Sequence, residues 1–136
     1  MYINVHTANF PGGAIRGQLR DPAPETELKA RLNGANEVGA GDLTASGKLN
    51  IDLRGTLICW KFHAGPAGVT AQHIHRGAAG TNGPIVVDFD GNTTGCRDIK
   101  AELAAAILAN PAGYYANQHT ANFPAGAIRG QLFPRP

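Results

Sequence analysis

The sequence predicts an all-β protein, an antiparallel β-sandwich with one short helix. Residues 44–53 alternate strictly between the two faces of a strand. The apolar or small residues on one face are Ala45, Gly47, Leu49, Ile51 and Leu53. Such alternation is typical of an antiparallel strand with one buried face. The 18 glycines and 9 prolines indicate frequent turns between short segments, which favours a sandwich over a helical protein.

The remaining segments fit the same architecture. Further strands are predicted at residues 28–32, 56–62, 70–76, 84–90, 115–120 and 127–133. The most apolar of them carries Ile58, Trp60 and Phe62 on one side. The helix is predicted over residues 98–110. Its expected features are Asp98 as N-cap, an apolar stripe of Ile99, Leu103 and Ile107, and a stop at Asn110-Pro111. A chain of 136 residues is long enough to bury a core of its own.

One segment of the chain is present twice. Residues 4–19 and 117–132 differ only at Val5/Gln118 and Gly12/Ala125. Each copy contains two strand-like stretches around a Pro/Gly loop and is predicted to be a β-hairpin. The chain therefore divides into an extra hairpin (residues 1–19), a Pro-rich linker (20–26) and the sandwich domain (27–136). Because Met1 is followed at once by the hairpin, we expect a mature or excised form.

An isolated hairpin is not stable in water, so the extra copy needs a partner surface. It can pack on its own domain, be left over from an upstream tandem domain, or dock on another subunit by strand addition. We expect the third arrangement, because unpaired strand edges favour pairing and a donor at one end gives head-to-tail polymers. The residues predicted to mediate this assembly are Tyr2, Asn4, His6, Phe10, Ile15, Arg16, Gln18 and Leu19.

Composition excludes several classes of partner. The net charge is +2, and the sequence has no basic cluster and no alternation of basic and aromatic residues, so nucleic acid is not an expected partner. No apolar run approaches the roughly 20 residues of a membrane-spanning helix. The two cysteines, Cys59 and Cys96, are predicted to form a disulfide, which favours an extracellular or periplasmic location. The alternative is a pair of reduced thiols.

The residues of this chain with the clearest potential for metal binding are histidines. His73 and His75 lie at i and i+2 of a predicted strand, so their rings share a face about 6.5–7 Å apart. With His119 on the terminal hairpin they would suit copper or zinc. The alternative is that all three rings bond backbone carbonyls and pack at the edge of the sandwich. His63 is interpreted as a turn residue.

Three blocks of sequence resemble the CHRD domain, the module named after chordin. They are LNGANEV (residues 32–38), AQHIHRGAAGTNGPIVVDF (71–89) and YYANQHTANFPAGAIRGQL (114–132). The resemblance covers residues 27–133, and residues 1–19 resemble only its last block. It implies an extracytoplasmic or cell-surface β-sandwich, often in tandem copies, with no established enzymatic activity.

A fainter resemblance links His73-Ile74-His75 to the copper-binding strand of copper–zinc superoxide dismutase, which is an immunoglobulin-like sandwich. It implies that His73, His75 and His119 bind copper and that Arg129 attracts a small anion. No bridging histidine, zinc-ligand set or electrostatic loop accompanies these residues. Two functions therefore remain: a non-enzymatic structural module that self-associates through its duplicated hairpin, and a copper-binding, dismutase-like protein. For Arg129, pairing with a neighbouring carboxylate is the competing role.

Overall fold

The computed structural model describes residues 24–136 and, for the N-terminal hairpin, the backbone of two strands. Those two strands are β1 (Tyr2–Val5) and β2 (Ile15–Gln18). The eight strands that follow are β3 (Glu25–Asn33), β4 (Ser46–Arg54), β5 (Leu57–His63), β6 (Val69–Arg76), β7 (Ile85–Asp88), β8 (Thr94–Asp98), β9 (Tyr114–Thr120) and β10 (Ile128–Pro134). A helix, α1 (Ala101–Ala109), precedes β9. No helix of the described residues is long and apolar enough to cross a membrane.

Strands β3 to β10 form one antiparallel sheet in the order β7-β6-β9-β10-β3-β4-β5-β8. The sheet curls over on itself. Phe89, which follows the edge strand β7, has its ring centroid 4.7 Å from that of Trp60 and 5.5 Å from that of Phe62, both on β5 near the opposite edge. The core therefore lies between the two halves of the sheet, as in a sandwich. The predicted all-β fold with one short helix is confirmed.

Alternation along the strands places the core residues. In β4, Gly47, Leu49, Ile51 and Leu53 are buried and every intervening residue is exposed. In β5, Ile58, Trp60 and Phe62 are buried, as predicted. Facing rows of apolar side chains exclude water from both halves of the sheet, and burial of apolar area is the main favourable term in folding.

The segment before the helix differs from the prediction. Thr94–Asp98 is an edge strand, and the helix begins only at Ala101. Asp98 is therefore not the N-cap; Lys100 holds that position and makes no side-chain capping bond. The helix ends at Asn110 and Pro111, as predicted, and Ile107 is fully buried. The strand was missed because its sequence, TGCRD, is exposed and lacks an apolar alternation.

The predicted disulfide is present and ties this edge strand to the sheet. Cys59 on β5 lies directly opposite Cys96 on β8, with their Cα atoms 4.0 Å apart. The bridge thus joins neighbouring strands whose cysteines are 37 residues apart in the chain.

The terminal hairpin β9–β10 occupies the middle of the sheet, between β6 and β3. Its N-terminal copy forms a separate two-stranded sheet, β1–β2. The two hairpins have the same register: Asn4 pairs with Arg16 as Asn117 pairs with Arg129. The predicted linker is shorter than expected at its C-terminal end, because β3 already begins at Glu25.

Candidate metal centre

The pairing of β6 with β9 brings the three predicted histidines together. Ala71, His73 and His75 of β6 lie opposite His119, Asn117 and Tyr115 of β9. The ring centroid of His73 is 5.4 Å from that of His75 and 5.1 Å from that of His119. One nitrogen from each of the three rings lies within 4.8 Å of the others. His75 is buried and the other two side chains are partly buried.

Backbone carbonyls orient two of the rings. His75 Nδ1 donates to the carbonyl of Gly83 at 2.9 Å, and His119 Nδ1 donates to the carbonyl of Pro124 at 2.9 Å. A neutral imidazole carries one N–H, so Nε2 of each ring is left with a free lone pair. This arrangement is the one usually found in metal-ligating histidines, whose second nitrogen is held by a backbone carbonyl or a carboxylate.

Both free lone pairs meet the side chain of Asn117. Its Oδ1 lies 2.9 Å from His75 Nε2 and 3.1 Å from His119 Nε2. All three atoms are acceptors when the imidazoles are neutral, and no hydrogen is available between them. The centre of the cluster therefore has the polarity that suits a cation.

His73 supplies a third nitrogen. Its Nδ1 is buried without a hydrogen-bond partner, and its Nε2 lies 3.9 Å from Asp88 Oδ2. Burial lowers the pKa of His73, a shift that the Asp88 carboxylate opposes. Burial also lowers the pKa of His75. Both rings are therefore neutral at pH 7, which is the protonation state that binds a metal.

A second layer of buried polar groups supports the cluster. The Tyr115 ring stacks on His75 with centroids 4.8 Å apart, and the Arg129 guanidinium carbon lies 3.9 Å from the Tyr115 centroid. Arg129 donates to Glu37 at 3.2 Å, and also to the Thr81 carbonyl and to the Asn82 side chain, each at 2.6 Å.

Arg129 is 2% exposed and its guanidinium is fully engaged, so it does not present a free cation to a small anion. The role implied by the dismutase resemblance is therefore wrong for Arg129, and the competing role, pairing with a carboxylate, is correct. Burial raises the pKa of Glu37 against the opposing effect of Arg129. β10 buries residues on both of its faces near Arg129, because the loops at residues 34–38 and 77–83 cover the outer face.

The other predicted site residues lie elsewhere. His63 is exposed at the end of β5, with Nε2 3.0 Å from Asn50 Nδ2, and takes no part in the cluster. Of the predicted assembly residues, Tyr2, Asn4, Ile15, Arg16 and Gln18 lie in β1 and β2. His6, Phe10 and Leu19 lie outside the described residues.

Sequence reasoning missed four residues around the cluster. They are Glu37, Asp88, Tyr115 and Asn117. A signal existed for two of them, because the duplicated hairpin repeats Tyr115 as Tyr2 and Asn117 as Asn4, alongside His119 as His6. Nothing in the local sequence pointed to Glu37 or Asp88, which reach the site from other parts of the fold.

Fold and site define a class: an antiparallel β domain with a disulfide at one edge and a half-buried histidine cluster in the middle of its sheet. The chain belongs to the CHRD domain family, which it matches over residues 1–19 and 28–132. It has no significant similarity to a curated protein or to a solved structure. CHRD domains are typical of extracellular proteins. The family and the disulfide together indicate an extracellular interaction module.

Proposed function

We propose that this CHRD domain binds a transition-metal ion through His73, His75 and His119. The observation that carries the proposal is the convergence of two imidazole lone pairs on Asn117 Oδ1, at 2.9 and 3.1 Å. Acceptors that repel one another when the centre is empty become ligands when a cation lies between them. His73 adds a third ligand nitrogen within 4.8 Å of the other two, and its Nδ1 has no hydrogen-bond partner.

Copper and zinc are the metals that suit this set. Imidazole nitrogen is a good ligand for both, and the lowered pKa values of His73 and His75 reduce competition from protons at these two rings. Zinc–nitrogen bonds are about 2.0–2.1 Å long, so three nitrogens on one ion are about 3.3–3.6 Å apart. The three histidine nitrogens lie within 4.8 Å of one another, so the rings must turn toward each other to share one ion.

Isothermal titration of the full chain with Cu(II) and with Zn(II) tests the proposal. His75→Ala removes one ligand and should weaken binding by at least about 10–100-fold, since even the loss of a supporting group around a metal costs that much. His63→Ala is the matched control, because His63 is an exposed strand histidine outside the cluster. The less buried His119→Ala should reproduce the effect if His75→Ala perturbs folding.

Absence of Cu(II) or Zn(II) binding by the folded wild-type chain at micromolar concentration would exclude the metal site. Equal weakening in the His63→Ala and His75→Ala variants would do so too. Either result would leave the rings as structural hydrogen-bonding groups, with the Asn117 amide turned to donate to them.

We further propose that the extracellular module self-associates head-to-tail through β1–β2. Two observations support this function. The hairpin repeats the register of β9–β10, and it forms a sheet of its own instead of extending the eight-stranded one. A two-stranded hairpin is marginally stable alone, so a surface on another copy would stabilise it.

Sedimentation velocity over a range of concentrations tests the self-association. The full chain should form species larger than a monomer, and a chain that lacks residues 1–20 should remain a folded monomer. A full chain that stays monomeric at high concentration would contradict the proposal. Association that persists after the deletion would place the interface elsewhere.

A further inference from the structure

The outer face of strands β3, β4 and β5 carries a cluster of cations, called here the basic face: Lys29, Arg31, Lys48 and Lys61. These side chains alternate with buried core residues, so they point away from the core. Arg31 lies directly opposite Lys48. Lys29 and Lys61 both lie opposite Asn50, one on each side of it. Neighbouring strands are about 4.8 Å apart, so the four charges occupy one small patch.

No carboxylate of residues 24–136 pairs with the basic face. The Arg and Lys ion pairs in this part of the chain join Arg54 to Glu25, Arg97 to Asp90, Arg129 to Glu37 and Arg135 to Glu27. Arg31 instead lies over the ring of Phe133, 5.3 Å from its centroid. Like charges directly opposite each other destabilise an antiparallel pair. The arrangement therefore costs the fold stability that an anionic ligand would restore.

The acidic residues of the same sheet face gather at its other end, where Asp52 lies opposite Glu27. Glu25 and Glu27 are already paired with arginines there, which leaves Asp52 as the unpaired carboxylate of this group. A second copy stacked on the basic face through its acidic end would offer too little negative charge. The excess of positive charge on the basic face is therefore available to an external anion.

The shape of the basic face indicates an extended ligand. The depression lined by Lys29, Arg31, Lys48 and Phe133 has a volume of only about 70 Å³, so it does not enclose a small molecule. An open sheet with several cations and the side of an aromatic ring suits a chain with repeated anionic groups. The extracellular assignment favours an acidic polysaccharide over nucleic acid.

We propose that the basic face binds an acidic polysaccharide, whose carboxylate or sulfate groups contact Lys29, Arg31, Lys48 and Lys61. Binding should weaken as salt rises, because exposed charges are screened over about 10 Å at 0.1 M ionic strength. Carboxylate and sulfate groups are both anions that the cations of the basic face would bind. Comparing polygalacturonate with heparin distinguishes the two groups.

The test measures binding of the full chain to polygalacturonate, heparin, neutral dextran and duplex DNA at low salt. Lys29→Gln/Lys48→Gln should weaken binding to the acidic polysaccharide about 10-fold or more, because two of the four charges of the basic face are lost. The matched control is Arg54→Gln/Arg97→Gln, which removes the same charge from exposed residues outside the basic face. The control should change the affinity by less than about 2-fold, since its charges lie away from the ligand.

The Lys29→Gln/Lys48→Gln variant should fold normally, because it removes repulsion from an exposed face; circular dichroism and thermal unfolding check this. Preference for polygalacturonate or for heparin identifies carboxylate or sulfate as the ligand group. Equal loss in both double variants, no preference over dextran, or tighter binding of DNA than of either polysaccharide would overturn the proposal. A loss of self-association in the Lys variant without polysaccharide would assign the face to a second copy instead.

Discussion

At the scale of residues, the buried ion pair of Arg129 and Glu37 lies beneath the loops that cover β10. Arg129 is buried with Glu37, and each side chain is 3% exposed. Removing two charges from water is costly, and their attraction offsets that cost only when the remaining donors are also satisfied. The Thr81 carbonyl and the Asn82 side chain satisfy them here. Each guanidinium nitrogen of Arg129 therefore donates one hydrogen bond, and these bonds hold the loops at residues 34–38 and 77–83 against β10.

The carboxyl group of Asp52 is predicted to make the stability of the fold depend on pH. Burial and the neighbouring carboxylates of Glu25 and Glu27 raise the pKa of Asp52 above its usual value. A carboxyl with a raised pKa in the folded state binds its proton more tightly there than in the unfolded chain. The destabilisation of the folded state by the charged Asp52 carboxylate is therefore present at pH 7. It disappears as the pH falls below the pKa values of this carboxyl in the folded and unfolded states.

We expect Asp52→Asn to raise the free energy of unfolding at pH 7 by about 0.2–1 kcal/mol, the usual size of one cross-strand pair of like charges. At pH 3, where the carboxyl is protonated, the wild type and the variant should be equally stable. Urea unfolding at both pH values measures this. A gain of the same size at pH 3 would show that charge is not the cause.

At the scale of elements, the hairpin β9–β10 must fit closely between its neighbours. A Cβ atom on Gly130 of β10 would lie 2.0 Å from the backbone oxygen of Arg31 on β3. Real Cβ atoms do not approach backbone so closely, so glycine is required there for β10 to reach β3. Glycine at position 130 thus allows the two strands to pack closely.

Gly130→Ala should therefore lower the free energy of unfolding by about 3 kcal/mol, the upper part of the range for overpacked sites, or more. Gly39→Ala is the control, because nothing lies within 4 Å of the added methyl group. It should change stability by less than about 1 kcal/mol. Similar losses in both variants, measured by thermal or denaturant unfolding, would contradict the predicted clash.

At the scale of the whole molecule, the sheet is closed by contacts between residues far apart in the chain. The Cys59–Cys96 bridge encloses a segment that includes β6 and β7, and so holds the strand of His73 and His75 within a covalent loop. Such a bridge stabilises the fold mainly by restricting the unfolded chain.

Removal of the bridge in Cys59→Ser/Cys96→Ser should lower the free energy of unfolding by about 3–4 kcal/mol, given the 37-residue separation. Wild-type protein unfolded in the presence of a reductant should behave like the double variant. Equal stability of oxidised protein and double variant would contradict the prediction. Mass spectrometry after alkylation without a reductant independently reports whether the bridge is intact.

The sequence by itself determined the features that depend on neighbours in the chain. Strict alternation at residues 44–53 predicted which side chains of β4 face the core, and Pro/Gly punctuation predicted the hairpins. The repeat predicted that β1–β2 is a hairpin like β9–β10. The sequence blocks at residues 32–38, 71–89 and 114–132 predicted the family. These features follow from the two-residue period of a strand and from local turn chemistry.

Only the tertiary structure decided which distant residues meet. β9 pairs with β6 on one side and β10 on the other, and this pairing places His119 and Asn117 beside His73 and His75. Glu37 contacts Arg129 although the two residues are 92 positions apart in the chain. The exposed strand β8 is defined by its pairing with β5, which the local sequence does not indicate. Strand pairing over such distances depends on how the whole sheet curls around its core, because no local period encodes the choice of partner strand.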